Sequence, residues 1–183
     1  MNHPAMTFLQ RLADLFEAVN EWLGRAVSWL SLLMVLVSVF VVVMRYAFDL
    51  GWIWLQESVT YMHAALFLVG AAYTLKHEGH VRVDIFYRGF RPEVKAWVDL
   101  LGSFFLLLPV CLFIFAVSWD YVAQSWSLLE GSREAGGLDG VYLLKSLILV
   151  MAGLLVLQGL AIAIRKMLDL MNTRNSEGGQ AEG

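Results

Sequence analysis

The chain has 183 residues, of which 16% are charged and 59% are apolar, and its formal net charge is −3 at pH 7. Soluble domains contain about 25% charged residues, so this composition excludes an ordinary soluble domain and indicates a membrane protein. The chain has no excess of basic residues, so its composition does not favour nucleic acid as a partner. The single cysteine, Cys111, excludes an intramolecular disulfide and a C-x-x-C redox pair.

Four long runs contain no Asp, Glu, Lys or Arg, and they cover 26–44, 58–75, 100–119 and 146–164. At about 1.5 Å of rise per residue, each run matches the roughly 30 Å of hydrocarbon that a helix must cross. Unpaired backbone groups are costly in lipid, so each run is predicted to be helical. The sequence therefore predicts an all-α integral membrane protein with four transmembrane helices in a single domain, 1–170.

Apolar residues recur at helical spacing before the first run, at Leu9, Leu12, Phe16, Val19 and Leu23, with charged residues on the other faces. This pattern predicts an N-terminal amphipathic helix that lies at the membrane interface and continues into the first span. An ordinary extension of the first span would show the same spacing. The first run is longer than the apolar core of a signal peptide and lacks an evident cleavage site, so it is predicted to be retained.

Ten of the 13 Lys and Arg residues lie in the N-terminal segment, the loop between runs two and three, and the C-terminal segment. Cytoplasmic segments carry such an excess, which predicts that both termini and the central loop face the cytoplasm. Trp52 and Trp54 then fit the aromatic belt at the outer membrane interface. The polar tail, 171–183, is predicted to be disordered.

Polar and small residues distinguish the second run from the first. Arg45 and Glu57 flank the short loop before it and are predicted to form an ion pair, although an exposed pair contributes only about 0–1 kcal/mol. His63 is the only histidine within the four runs and is predicted to form a hydrogen bond between helices. An ionisable residue inside a span also favours a functional site. Gly70 and its small neighbours are typical of helix–helix contacts in lipid.

The loop between runs two and three, "YTLKHEGHVRVDIFYRGFRPE" from Tyr73 to Glu93, is rich in charge. His77 and His80 are spaced so that a zinc site is conceivable, but no further Cys or His lies nearby and no strong signature is matched. A basic cap next to the membrane is the favoured interpretation. The apolar residues of "VDIFYRGF" share one helical face, which predicts a short interfacial helix.

The third helix is predicted to begin at Pro92, to kink at Pro109 and to continue to Glu130. That length places Trp126 above the bilayer as an unpartnered anchor for a contact with another protein, within an acidic surface. An aromatic belt with a solvated loop is the alternative interpretation. The following segment, "GSREAGGLDG", is predicted to be a flexible outer loop.

The parts required for catalysis are missing from the sequence. It contains no serine–histidine–acid arrangement, no phosphate loop and no converging pair of membrane carboxylates. Transporters need polar groups and broken helices near the midplane, whereas these runs are nearly all hydrocarbon. The residues alone therefore favour a subunit that braces a larger membrane assembly. A haem- or quinone-binding redox subunit is the alternative, although the other runs offer no second histidine for His63. A channel is disfavoured because polar pore residues are lacking.

Four short motifs occur in the order and spacing of one family: "RYAF" at 45–48, "WLQE" at 54–57, "GAA" at 70–72 and "HVRVD" at 80–84. Over residues 20–170 the chain resembles the small membrane subunit of tripartite ATP-independent periplasmic (TRAP) transporters, the DctQ-like family. The family often has two adjacent acidic residues where this chain has Gln56 and Glu57. Other stretches resemble the branch labelled for mannitol, chloroaromatic compounds or 2-oxo acids.

This resemblance implies a subunit of the bacterial inner membrane that is not an enzyme and has no catalytic, cofactor or metal residues. A periplasmic binding protein captures an organic anion and meets the complex transiently. A large membrane subunit moves the anion by a sodium-coupled elevator motion, and the small subunit packs against its stationary scaffold among membrane lipids. The candidate structural or partner-contact residues are Arg45, Trp54, Glu57, His63, Gly70, His80, Asp84 and Trp126.

Overall fold

The computed structural model describes residues 4–77, 79, 87 and 89–180. Within these residues the fold is all-α, with no strand. Four helical segments are long and apolar enough to cross a membrane, which confirms the predicted fold class. The elements are α1 (Pro4–Phe48), α2 (Ile53–Lys76), α3 (Pro92–Gly102), a π-helical turn (Ser103–Leu107), α4 (Leu108–Ser127) and α5 (Val141–Gln180). The third span consists of α3, the π-helical turn and α4 together.

The first helix is a single element of 45 residues, so the N-terminal segment continues directly into the first span. At about 1.5 Å per residue, this length exceeds what a bilayer crossing requires. The inward face of the N-terminal segment differs from the predicted one. Ala13 and Asn20 are buried and Val19 is exposed. Glu17 also faces the bundle, because its carboxylate meets a cation of α5.

The last helix, α5, is the central element and packs against α1, α2, α3 and α4. Its buried residues include Ala152, Leu154 and Ala161, and small side chains allow helices to approach closely in lipid. A core cluster joins Leu154 to Val69 and Ala72 of α2. The remaining spans are therefore arranged around one common partner.

Close approach between helices depends on two glycines. A Cβ atom at Gly24 of α1 would overlap the ring of Tyr73 of α2. A Cβ atom at Gly159 of α5 would lie 2.9 Å from Leu107 Cδ2, at the π-helical turn. Any larger side chain at Gly24 would force α1 and α2 apart, whereas at Gly159 the end of the Leu107 side chain would have to shift.

The predicted irregularity at Pro109 appears as a π-helical turn just before the proline. The backbone N–H of Leu108 donates to the carbonyl of Ser103, five residues earlier. Proline lacks an N–H group and its ring clashes with the carbonyl four residues before it, so a wider turn at this point relieves the clash. The third span begins at Pro92 as expected and ends at Ser127 rather than Glu130. Leu129 follows with a φ of 45°.

Helical structure in α5 continues to Gln180, well into the tail 171–183 that the composition predicted to be disordered. No proline interrupts residues 171–180, and adjacent glycines occur only at 178–179. Adding residues to an existing helix avoids the cost of nucleation, so a polar segment can continue a long apolar helix.

Candidate functional site

The N-terminal end of α2 is fastened to the segment between α4 and α5 by one carboxylate. Glu57 accepts hydrogen bonds from the Ser132 hydroxyl at 2.5 Å and from the Leu138 backbone N–H at 2.6 Å. The backbone N–H of Trp54 donates to the Gly136 carbonyl at 3.1 Å, while the Trp54 side chain is exposed. We call Glu57, Ser132 and Leu138 the loop clamp.

The loop that was predicted to be flexible has its own hydrogen bonds. The backbone N–H of Ser132 donates to the Leu138 carbonyl at 3.0 Å, and that of Gly137 donates to the Glu134 carbonyl at 3.0 Å. A Cβ at Gly137 would lie 2.7 Å from Glu57 Oε2, so only glycine fits beside the clamp. Gly136 has a φ of 80°, which favours glycine. The glycines therefore build a loop with its own hydrogen bonds, at the place where the sequence predicted a flexible one.

The predicted ion pair between Arg45 and Glu57 is absent. Both residues are described, and the two oxygens of Glu57 are engaged by Ser132 and Leu138. Arg45 is exposed and forms no ion pair with any residue that the structure describes. Neutral donors from a distant segment satisfy Glu57 instead, so Arg45 remains a candidate contact to lipid or to another subunit.

A second contact holds the beginning of the same loop. Glu130 accepts from Lys145 Nζ at 2.5 Å and from the Ser125 hydroxyl at 2.7 Å. The Lys145 ammonium, and then the Ser125 hydroxyl, hold the pKa of Glu130 below its ordinary value of 4.5. Lys145 also lies 4.0 Å from the centre of the Tyr121 ring, a cation–π contact.

Trp126 has partners, contrary to the prediction of an unpartnered anchor. Its indole N–H donates to the Ser146 hydroxyl at 2.7 Å, and its ring meets that of Tyr142 edge-on at 4.7 Å. These contacts connect α4 to α5. Nearly half of the side chain is still exposed, so Trp126 both joins two helices and contributes to the exposed surface.

His63 and Gly70 lie on the outward face of α2. His63 is exposed and forms no hydrogen bond with the described residues, so the predicted hydrogen bond to another helix is not formed within this part of the chain. Its ring faces Phe67 at 6.3 Å, on the same helix. A Cβ at Gly70 would meet nothing within 4 Å, so this glycine does not serve close packing inside the chain. The bundle packs against the opposite face of α2, through Val69 and Ala72.

The other end of the bundle contains a charge network that the sequence analysis did not predict. Glu21 accepts from Lys76 Nζ at 2.7 Å and from His77 Nε2 at 2.8 Å. Arg165 of α5 meets a neighbouring face of α1, where it donates to Asp14 and to Glu17, each at 2.8 Å. The charge network consists of Asp14, Glu17, Glu21, Lys76, His77 and Arg165. It joins α1 to α2 and to α5 at the same end of the molecule.

A buried amide pair lies beside this network. The side-chain amide of Asn20 donates to Gln158 Oε1 at 2.8 Å, and both residues are only 1% exposed. The Asn20 Oδ1 atom has no hydrogen-bond partner. Removing one member of such a pair leaves a buried polar group unpaired, which costs about 1–3 kcal/mol. The sequence clue was Asn20 within an otherwise apolar helical stripe.

An open cavity of about 400 Å³ lies next to the network. Its lining combines apolar residues with polar and charged ones, which are Glu17, Lys76, Asp99, Ser103, Gln158, Arg165 and Lys166. Its cations are already paired, since Lys166 lies 3.3 Å from Asp99, and Lys76 and Arg165 bind carboxylates of α1. The lining therefore serves to join helices.

The remaining candidate residues, His80 and Asp84, lie outside the described residues, as does most of the predicted interfacial helix. His77 is described and is engaged by Glu21. Among the described residues, no group of three or more His, Cys, Asp or Glu side chains is arranged to hold a metal ion.

Polar contacts at the two ends and apolar helices between them define a multi-pass helical membrane protein. The sequence profile of one family, described as "Tripartite ATP-independent periplasmic transporters, DctQ component", matches residues 34–169. The chain belongs to this family and is thus a small subunit of a TRAP transporter. The resemblance noted from the four motifs is confirmed.

The chain is similar to the C4-dicarboxylate TRAP transporter small permease protein DctQ of Vibrio cholerae serotype O1 (strain ATCC 39315 / El Tor Inaba N16961). The two sequences are 25% identical over 126 residues, which is 66% of this chain and 50% of the relative. The chain therefore spans about half the length of the curated relative that it matches. No solved structure matches the chain.

Proposed function

We propose that the chain is the scaffold subunit of a TRAP-type secondary transporter in the bacterial inner membrane. In this proposal it braces the large membrane subunit during sodium-coupled uptake of an organic anion, which a periplasmic binding protein delivers. Family membership supports the assembly, and the C4-dicarboxylate named for the relative is itself an organic anion. The basic residues at the end with the charge network support cytoplasmic termini.

One observation carries the bracing role. Glu57 of the loop clamp joins α2 to the loop before α5, and the charge network joins helices at the other end. The central stretch between them is formed by residues such as Val69, Ala72 and Leu154. Substrate and ion sites of secondary transporters are built from polar groups and unwound backbone near the midplane. A scaffold requires neither, and a bundle fastened at both ends is suited to remain fixed while another subunit moves.

Reconstitution tests this proposal. Proteoliposomes with the large subunit are prepared with and without this chain, and the binding protein is loaded with the organic anion that stabilises it most in a thermal-shift screen. We expect sodium-driven uptake only when the chain is present. The variant His63→Ala should retain the wild-type sodium dependence of uptake. A changed sodium dependence in an intact complex would show that the chain contributes to the transport site.

The redox alternative loses its main support in the structure. His63 is exposed on the outward face of α2, whereas the axial ligands of a haem in a helical bundle project into its interior. An absorbance spectrum of the purified protein distinguishes the two functions, because a haem would give a strong Soret band. A stoichiometric Soret band that is lost in His63→Ala would contradict the scaffold proposal.

A further inference from the structure

One face of α2 is unused inside the chain and has the spacing of a helix-packing surface. Gln56, Thr60, His63, Phe67 and Gly70 follow one another at alternating steps of four and three residues. This spacing places side chains on one face that can pack along a second helix at a shallow crossing angle. Thr60, His63 and Phe67 are exposed, with 71% exposure at Phe67. We call these five residues the α2 seam.

Two polar groups of the α2 seam have no partner within the described chain. The Thr60 hydroxyl and the His63 imidazole form no hydrogen bond with the residues that the structure describes. His63 lies about 9 Å along the helix from Glu57, inside the charge-free run 58–75. Lipid tails offer no hydrogen-bonding group, so an exposed imidazole at this depth is costly in lipid and favours a protein surface as its cover.

At its outer end the α2 seam opens into a hollow of about 330 Å³, lined by Ile53, Gln56, Glu57, Thr60 and Glu134. The oxygens of Glu57 are occupied by the loop clamp. Glu134 forms no ion pair with the described residues, so its carboxylate remains open to a cation from a partner. Charge complementarity therefore favours a partner that brings a basic side chain to this hollow.

The outward face of α1 provides the contrast. Leu36, Val39, Phe40 and Val43 are exposed there and form a surface of hydrocarbon alone. Such a face is satisfied by lipid, because these four side chains contain no polar group.

From this contrast we propose that the α2 seam is the surface that binds the large permease subunit, an inference that rests on the proposed function. The partner element is a transmembrane helix that presents a hydrogen-bond acceptor to His63 and packs small or apolar side chains against Phe67 and Gly70. A lysine or arginine beside that helix reaches the hollow at Glu134. The hydrocarbon face of α1 is left to lipid.

The variant Gly70→Leu tests the seam without disturbing the chain itself. A Cβ at Gly70 meets nothing within 4 Å, and the same holds for Gly153 of α5, which provides a matched control. Each variant carries an affinity tag and is produced in the same membranes as the large permease subunit of the transporter. We expect Gly70→Leu to lower the amount of co-purified large subunit about tenfold, because overpacking disrupts a close helix contact, and Gly153→Leu to leave that amount unchanged.

Equal recovery of the large subunit with Gly70→Leu and wild type, or equal losses in both variants, would overturn the assignment of this face. A wild-type chain that retains no large subunit would instead contradict the proposed function.

Photocrosslinking gives an independent measurement. Single cysteines at Phe67 and at Leu36, in a Cys111→Ser background, are labelled with a benzophenone maleimide. Crosslinks to the large subunit from position 67 and not from position 36 are expected. Crosslinks from position 36 alone, or from position 67 to a second copy of the chain alone, would overturn the proposal.

Discussion

Carboxylates fasten both ends of the bundle, but their donors differ. In the loop clamp, Glu57 accepts from a hydroxyl and a backbone N–H, which are both neutral. In the charge network, Glu17 and Glu21 accept from Arg165 and Lys76, which are both cationic. Neutral donors hold a loop through geometry, whereas ion pairs weaken with added salt. The comparison shows that the end with the loop clamp is held mainly by hydrogen bonds from neutral groups, whereas the end with the charge network is held mainly by ion pairs.

The two ends should lie on opposite sides of the membrane. Of the measurements proposed here, labelling of cysteines at the two ends should show the largest difference. Single cysteines replace the exposed Ala135 beside the loop clamp and the exposed Gln10 in α1, in a Cys111→Ser background. An impermeant maleimide, added to cells with a permeabilised outer membrane, should label Ala135→Cys and leave Gln10→Cys unlabelled. Both should react after detergent solubilisation. Labelling at Gln10→Cys alone in cells would reverse the orientation.

Removing the acceptor of the loop clamp should release the loop. In Glu57→Ala, the Leu138 backbone N–H loses its partner, so its hydrogen exchange should accelerate about tenfold or more. Glu57→Gln retains one carbonyl acceptor and should be intermediate. The control is Glu134→Ala, which removes a carboxylate of the same loop that accepts none of these bonds. Unchanged exchange in Glu57→Ala would mean that the glycines alone define the loop.

Ion pairs should contribute more to the free energy of unfolding at the end that contains the charge network. Arg165→Gln removes the bonds to both Asp14 and Glu17, and because the site is partly exposed the expected loss is about 1 kcal/mol. High salt should reduce the difference between wild type and variant, as it screens the ion pairs. Unfolding in detergent at low and high salt measures both effects. A salt-independent loss would indicate that Arg165 acts through packing.

Acid should affect Glu130, the carboxylate at the loop end that binds Lys145. Its folded-state pKa lies below the ordinary value of 4.5, because Lys145 and Ser125 donate to its charged form. The contribution to stability is therefore complete above pH 4.5 and is lost as the pH falls through the lower, folded-state pKa. Tryptophan fluorescence near Trp126 should report a small acid transition. Lys145→Met should abolish that transition, and its persistence there would assign it to another group.

The sequence was sufficient to predict the number of spans but not which side of each helix faces the bundle. Lack of charge over 58–75 determines that α2 enters lipid, whereas its rotation about its own axis depends on contacts such as Gly24 with Tyr73. Polar and apolar residues are spread around α2, so the outward position of His63 could not be predicted from hydropathy.

Hydrogen-bond partners that lie far apart in the chain could not be predicted from the sequence either. The donors to Glu57 lie 75 and 81 residues further along the chain, and Arg165 lies 148 residues from Glu17. Proximity in sequence favoured Arg45 as the partner of Glu57. Two neutral donors on the loop prevailed, because they reach both carboxylate oxygens without a long flexible side chain.

The π-helical turn at Ser103–Leu107 has a consequence for how this chain tolerates change in length. The bond from Leu108 to Ser103 spans five residues instead of four, so the turn holds one residue more than an α-helical turn and α4 continues in the phase of the helix before it. Deleting a single residue within the turn would return it to α-helical geometry and leave the later positions of α4 in place. A deletion between this turn and Val122 would instead rotate every later position by about 100°, so that Val122 and Ser125, now buried, would turn away from α5 and Trp126 would lose Ser146. The third span should therefore tolerate the loss of one residue in this turn but not in the part of α4 that packs against α5.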